Sequence, residues 1–240
     1  MGVTGQGIKE LSDSAREWGA STRYTATEVA EAYKYMGMAG FSLQESLSSI
    51  GDILNLTTIG ATELGIASDI VTDGLTALGM SADQAGNFVD YMAATITRSN
   101  TDVEMMGETL KYAGSVAGTL GVSMDDLSVA IGLMANSSIK ASQAGTSMRT
   151  LLANLSAPTD TVAGAMEKYG ISLIKAADGS VDLDATLRNL RSSLKSFPLT
   201  EQAAACKDLA GKTGMTGLMA IINATDEAYN SLTSSVQNST

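Results

Sequence analysis

Gly40-Phe41-Ser42-Leu43-Gln44-Glu45 is the stretch from which the fold of this chain can be read. Glycine adopts the left-handed backbone conformation that ends a helix. A serine two residues later can cap the next helix with its hydroxyl. The phenylalanine between them is placed to staple onto that new helix, and Glu45 stands where a capping box needs its reciprocal partner. The same punctuation recurs as Gly79-Met80-Ser81, with Gln84 three residues on, and as Gly121-Val122-Ser123, with Asp126 three residues on. Asp126 is short for that role. Thr25 with Glu28 and Thr101 with Glu104 share the spacing, so both threonines are read as caps too.

Outward from these junctions the apolar residues recur at three and four. Leu43, Leu47, Ile50 and Leu54 form one stripe, and Leu64, Ala67, Val71, Leu75 and Leu78 another. Val103, Met106, Leu110, Ala113, Ala117 and Leu120 form a third, and Leu183, Leu187, Leu190 and Leu194 a fourth. Each is the one-sided face of an amphipathic helix. The glycine junctions lie roughly 40 residues apart, the length of a two-helix repeat. The helix interiors between them do not match, which favours an irregular bundle over a regular solenoid.

One stretch departs from the helical period. Gly170-Ile171-Ser172-Leu173-Ile174-Lys175 is β-rich, and Asp178-Gly179 is a hairpin turn signal ahead of Ser180-Val181-Asp182. The expected fold is therefore mainly α, an irregular multi-helix bundle with one small β-hairpin near residues 171–182. Residues 1–24 read as an N-terminal flanking helix or linker. Residues 25–225 read as the core domain, with a possible sub-boundary near 155–158, and 226–240 as a C-terminal helix or tail. After Pro198 two helices are expected, alanine-rich near 200–209 and glycine-punctuated near 214–224.

Composition narrows the chemistry. The 240 residues carry 15 basic and 26 acidic side chains, a net charge of −11, with one cysteine and no histidine. A single cysteine makes no internal disulfide and cannot alone hold a structural zinc. Without histidine, every triad that uses an imidazole base is excluded. The charge is uneven: 17 acidic and 6 basic residues precede Lys140, and nine of each follow from there. No basic residue lies between Lys34 and Arg98. Such a balance disfavours nonspecific contact with phosphate backbones and anionic lipid. No uncharged run approaches the roughly 20 apolar residues of a membrane span. The start lacks the regions of a signal peptide. Gly2 could be myristoylated, but a start codon placed before an excised segment is the better reading.

The remaining motifs assemble no active site. Gly211-Lys212-Thr213 ends like a phosphate-binding loop, but Cys206 stands where the first glycine is required. Asp178, Ser180, Asp182 and Asp184 resemble a calcium loop with Leu183 in place of its glycine and Asn189 in place of its glutamate. Gly114-Ser115-Val116-Ala117-Gly118 permits close helix packing. Cys206 reads as a small core residue, and Asp125-Asp126 as adjacent helix residues that project apart. The 13 methionines suit adaptable packing. No catalytic, cofactor or metal residue is assigned.

An ordered series of motifs carries a family resemblance. It runs through Phe41-Ser42-Leu43-Gln44-Glu45-Ser46-Leu47, Leu54-Asn55-Leu56 and Ala67-Ser68-Asp69-Ile70-Val71-Thr72-Asp73. It continues through Ser99-Asn100-Thr101, Leu110-Lys111-Tyr112-Ala113 and Gly132-Leu133-Met134-Ala135-Asn136 to Ile139-Lys140-Ala141-Ser142-Gln143-Ala144-Gly145. In order and spacing this resembles the core region of phage and prophage tail tape measure proteins, over roughly residues 22–225.

The resemblance implies a structural virion protein acting in tail assembly and tail-length determination, and in DNA ejection. Its implied partners are the tail tube protein, tail assembly chaperones and further copies of itself. It implies no sequence-specific nucleic acid, and membrane contact only on ejection. The implied location is the virion tail, preceded by the host cytoplasm. No enzymatic activity and no cofactor are expected. The alternative is a membrane-active helical domain, in which residues 112–135 and 213–224 insert after a conformational change to assist genome passage.

Overall fold

The computed structural model describes residues 4–240, so the reading of Gly2 lies outside the described residues. The described chain forms α1 (Gly5–Ser21), α2 (Ala26–Met38), α3 (Leu43–Gly60) and α4 (Leu64–Leu78). A short 3-10 turn at Ala82–Gln84 leads into α5 (Ala85–Arg98). Then come α6 (Val103–Thr119), α7 (Met124–Asn136), α8 (Ala141–Ser156) and α9 (Asp160–Tyr169). The last are α10 (Leu183–Lys195), α11 (Leu199–Asn223) and α12 (Asp226–Gln237).

Local chemistry sets most of these boundaries. The Thr25 hydroxyl accepts the Glu28 amide while Glu28 accepts the Thr25 amide, closing a capping box. Ser42 and Glu45 do the same for α3. Ser81 and Gln84 form a box around the 3-10 turn. Gly40, Gly79 and Gly121 have φ of 94°, 69° and 68°. In each case the residue after the glycine donates its amide back to the preceding helix: Phe41 to Met36, Met80 to Leu75, and Val122 to Ala117. These are Schellman ends, in which the left-handed residue turns otherwise orphaned carbonyls toward amides.

The helices alternate between two rows. α1, α2, α4, α6, α8 and α11 pack side by side in that order, and α3, α5, α7 and α12 form the facing row. The three glycine junctions terminate α2, α4 and α6. The roughly 40-residue spacing is therefore the passage from the first row to the second in successive helix pairs. The return passages are dissimilar, with Ala61 at φ 50° in one and Ser138 at φ 66° in another. An all-α irregular bundle results.

The apolar stripes largely form the core between the rows. Leu64, Ala67, Val71, Leu75 and Leu78 are buried, as are Val103, Met106, Leu110, Ala113 and Ala117. In α3 the N-terminal half is rotated. Leu43 and Leu47 are half-buried, while Ser46 and Ser49 face inward. Both serines are satisfied, Ser46 by the Ser42 carbonyl and Ser49 by the Ala82 carbonyl. After Pro198, α11 is two helical segments meeting at Gly211, whose φ of 66° breaks the axis.

The β-hairpin expected near residues 171–182 is not formed. Among the described residues there is no β-strand, and this segment holds a single antiparallel bridge, Lys175 to Val181. Other elements capture most of the amides that would extend a ladder. The Ile171 amide donates to Met166 as the Schellman end of α9, with Gly170 at φ 65°. The Ser172 amide donates to Asn189 Oδ1 and the Ile174 amide to Thr186 Oγ1, both on α10. The Val181 amide donates to the Leu120 carbonyl at the end of α6. Only the Ala176 amide, to Ser180, and the Asp182 amide, to Ile174, cross between the two stretches, so the pairing stops at one bridge and no strand forms.

Among the described residues no helix is long and apolar enough to cross a membrane. Residues 112–135 are divided by the Gly121 turn, and Gly211 precedes residues 213–224.

Candidate functional site

The predicted cap residues are distributed along the bundle and act locally. Thr25, Glu28, Gly40, Ser42, Glu45, Gly79, Ser81 and Gln84 occupy the ends of α2, α3, α4 and the 3-10 turn. Gly121 ends the α6 turn and Ser123 caps α7, accepting the Asp126 amide. Thr101 and Glu104 do not pair. Asp102 caps α6 instead, accepting the Met105 amide at 2.8 Å, and Glu104 accepts the Thr62 hydroxyl. The carboxylate of Asp102 reaches the third amide of the helix from its own N-cap position, so Thr101 is not needed there.

The polar groups that do converge lie where α7, α10, the end of α11 and α12 meet. Arg191 on α10 is buried. It donates to the carbonyls of Ile221, Ile222 and Ala224 at the end of α11, and to Asp226 Oδ1 at 2.7 Å. A guanidinium at this end satisfies orphaned carbonyls and opposes the negative pole of the helix dipole. The Tyr229 hydroxyl donates to Asp184 Oδ1 at 2.9 Å, and Arg188 Nε donates to Asp184 Oδ2 at 2.7 Å. Both arginines stack on the Tyr229 ring, at 4.7 and 4.6 Å from its centre. Burial and the neighbouring Asp184 push the Tyr229 hydroxyl well above the usual phenol range.

Asp126 joins this seam from α7. Its Oδ2 accepts the Asp184 amide at the start of α10 at 3.1 Å. Burial raises its carboxyl to about 6, aided by repulsion from Asp125, Asp184 and Asp182 and opposed by that hydrogen bond. The residues of the calcium-like run separate here. Asp178 turns back on Ser180, Asp182 caps α10 through the Ala185 amide, and Asp184 serves Arg188 and Tyr229. Among the described residues no group of three or more acidic or cysteine ligands is placed to hold a metal.

The seam holds helices together, and most of its donors end on backbone or on a fixed carboxylate. Cys206 is fully buried, and burial pushes its thiol up to about 12, far from a reactive thiolate. Gly118 and Gly114 of the GxxxG let α6 approach α4 closely: a Cβ on Gly118 would meet the Ala77 carbonyl and the Leu78 backbone.

Sequence reasoning missed Arg188, Arg191, Tyr229 and Asp226, and met Asp184 only as part of the calcium-like run. One signal was present: Arg191 stands one turn after Leu187 and just after Leu190, on the apolar face of its helix. A charge on such a face implies a buried partner.

Two of the surface grooves are larger than the rest of those described. One, of about 680 Å³, lies between α1 and α2, floored by Leu11, Ala15 and Tyr33 and flanked by exposed Ile8 and Met38. The other, of about 730 Å³, lies between α4 and α6, with Ile66 and Ile70 in it and carboxylates along it.

Residues 12–211 match the family model described as phage-related minor tail protein. The chain is also similar to the tape measure protein of Pneumococcus phage Dp-1, with 27% identity over 238 residues, covering 99% of this chain and 21% of that protein. It is similar to the probable tape measure protein of Escherichia phage P2, with 23% identity over 216 residues, covering 89% of this chain and 26% of that protein. The chain thus spans about a fifth to a quarter of the length of these relatives. No solved structure matches it. A match over most of the chain, on a bundle whose polar groups are placed to join helices, leads to one assignment: the chain belongs to the phage-related minor tail protein family.

Proposed function

We propose that this chain is a structural module of a tape measure protein, acting in tail assembly and contributing to tail-length determination. The observation that carries the proposal is the alignment of nearly the whole chain with a protein named for that role. Its partners are the tail tube protein, tail assembly chaperones and further copies of the same protein. It resides in the virion tail after a period in the host cytoplasm, and leaves ahead of the DNA at ejection.

The module is not an enzyme. The placement of its polar groups supports this reading: Arg191 ends on helix carbonyls, Asp184 on Arg188 and Tyr229, and the lone thiol is buried. If the tube lumen is acidic, the acidic first half suits a filler expelled without adhering to it.

The test is in-frame removal of these residues from the complete gene in a phage that carries it, followed by electron microscopy of the particles. The expected result is loss of assembled tails or tails of altered length. Infectious particles with unaltered tails would overturn the proposal. Zymography of the purified chain on peptidoglycan is expected to show no clearing, and clearing would overturn the non-enzymatic part.

A further inference from the structure

The groove between α4 and α6 combines an apolar floor with acidic banks. Its floor is apolar: Ile66 and Ile70 stand one turn apart on α4, with Ile66 38% exposed, and Met105 lies opposite on α6. Ile70 rests on Gly107, where any side chain would collide with it. Its banks are acidic, with Asp69 and Asp73 on α4 and Glu104 and Glu108 on α6. Lys111 is the basic residue that lines it, and its salt bridge is to Glu108 at 3.9 Å. Among the described residues no cation is in salt-bridge range of Asp69, Asp73 or Glu104. Asp73 is held above the usual carboxylate range by burial and by Asp69, with Lys111 pulling the other way. The free chain therefore keeps like charges together beside exposed apolar surface, an arrangement that a cationic apolar ligand would relieve.

We propose that this groove docks a basic amphipathic helix of a partner protein. Two helices side by side leave a furrow that a third helix fills, its apolar residues at i and i+4 meeting a matching pair below. Ile66 and Ile70 supply that pair. Lysines or arginines on both flanks of the incoming helix meet Asp69 and Asp73 on one bank and Glu104 and Glu108 on the other. α4 has 15 residues, which at 1.5 Å each is about 22 Å, the length of a partner helix of about the same size. The other groove does not suit this ligand, because Arg16 and Lys34 line it and no carboxylate does. The inference does not depend on the tail reading.

The test titrates a synthetic amphipathic helix of leucine and lysine, and its glutamate counterpart, into the methyl-labelled chain. The lysine peptide is expected to shift the methyl signals of Ile66, Ile70 and Met105 and to leave those of Ile8 and Met38 in place. The glutamate peptide is expected to shift neither group. The double variant Asp69→Asn, Asp73→Asn is expected to weaken binding about tenfold at low salt, since two such charge contacts together are worth about 1.4 kcal/mol. Circular dichroism of the variant confirms that it is folded. Shifts centred on Ile8 and Met38, unchanged affinity in the folded variant, or no binding would each overturn the proposal. Occupation of the groove by a second copy, seen as self-association in sedimentation that the double variant abolishes, would overturn it as well.

Discussion

Asp126 carries a charge that burial and three neighbouring carboxylates disfavour. Its carboxyl stands at about 6 in the fold, against 3.8 in an unfolded chain. Between those values the native state holds a proton that the unfolded chain has released. Stability from this group is therefore greatest below about pH 3.8, falls as pH rises to about 6, and stays lost above. Asp126→Asn keeps an oxygen for the Asp184 amide and removes the charge. It is expected to stabilise the chain at pH 7 by an amount on the order of 1 kcal/mol, discounted for partial solvent screening. Urea unfolding at pH 7 and at pH 3.5 checks this: a gain at the first and none at the second is expected, and an unchanged midpoint at pH 7 would count against it. Arg191 is the opposite case, a buried charge well supplied with partners. Arg191→Met strands the carbonyls of Ile221, Ile222 and Ala224 and is expected to cost about 3 kcal/mol in the same measurement. Asp226→Asn is expected to cost far less, because Asp226 is 77% exposed.

At the scale of the element, the chain is governed by its turns. Gly-apolar-Ser occurs a fourth time, as Gly170-Ile171-Ser172, and there too it ends a helix with a Schellman turn. The β-branched residues after Gly170 favour a strand, although the triplet is the same stop signal that closes α2, α4 and α6. The difference lies downstream: Ser172 has no helix to cap, and its amide goes to Asn189. Glycines inside helices divide by what surrounds them. Gly118→Ala drives a methyl into the backbone of α4 and is expected to destabilise by about 1–3 kcal/mol. Gly164→Ala on α9 meets nothing within 4 Å and is expected to stabilise by about 0.5–1 kcal/mol through helix propensity. Thermal unfolding of the two variants separates them by sign, and shifts in the same direction would refute the packing argument.

Across the whole molecule, the net charge of −11 is concentrated before Lys140, on helices that contribute much of both rows. From Glu28 to Asp102, among the described residues, no salt bridge offsets these carboxylates. Salt should therefore stabilise the chain by screening repulsion. Raising sodium chloride from 10 mM to 0.3 M is expected to raise the melting temperature by about 2–4 °C, the shift that about 1 kcal/mol produces at this size. A falling melting temperature would mean that attractive pairs dominate. The two-row arrangement also explains why the 40-residue spacing is visible while the interiors differ. The turn from first row to second recurs with the same chemistry, whereas each interior must fit a different neighbour.

What the sequence determined by itself is whatever depends on contacts three to five residues apart. The capping boxes of Thr25 and Ser42, the left-handed glycines at 40, 79 and 121, and the apolar faces of α4, α6 and α10 belong here. The caps and turns are satisfied within one turn of helix, and the apolar faces are written as a three-and-four spacing along it. Neighbours along the chain therefore suffice to specify them. The tertiary structure decided the rest. Residues 171–182 could pair with themselves or with α6 and α10, and two packed helices already oriented their acceptors toward those amides. Glu104 left its expected box for Thr62, 42 residues away, and Arg191 found its carbonyls about 30 residues downstream. Such partners come within reach only after the rows have packed, and no local spacing announces them.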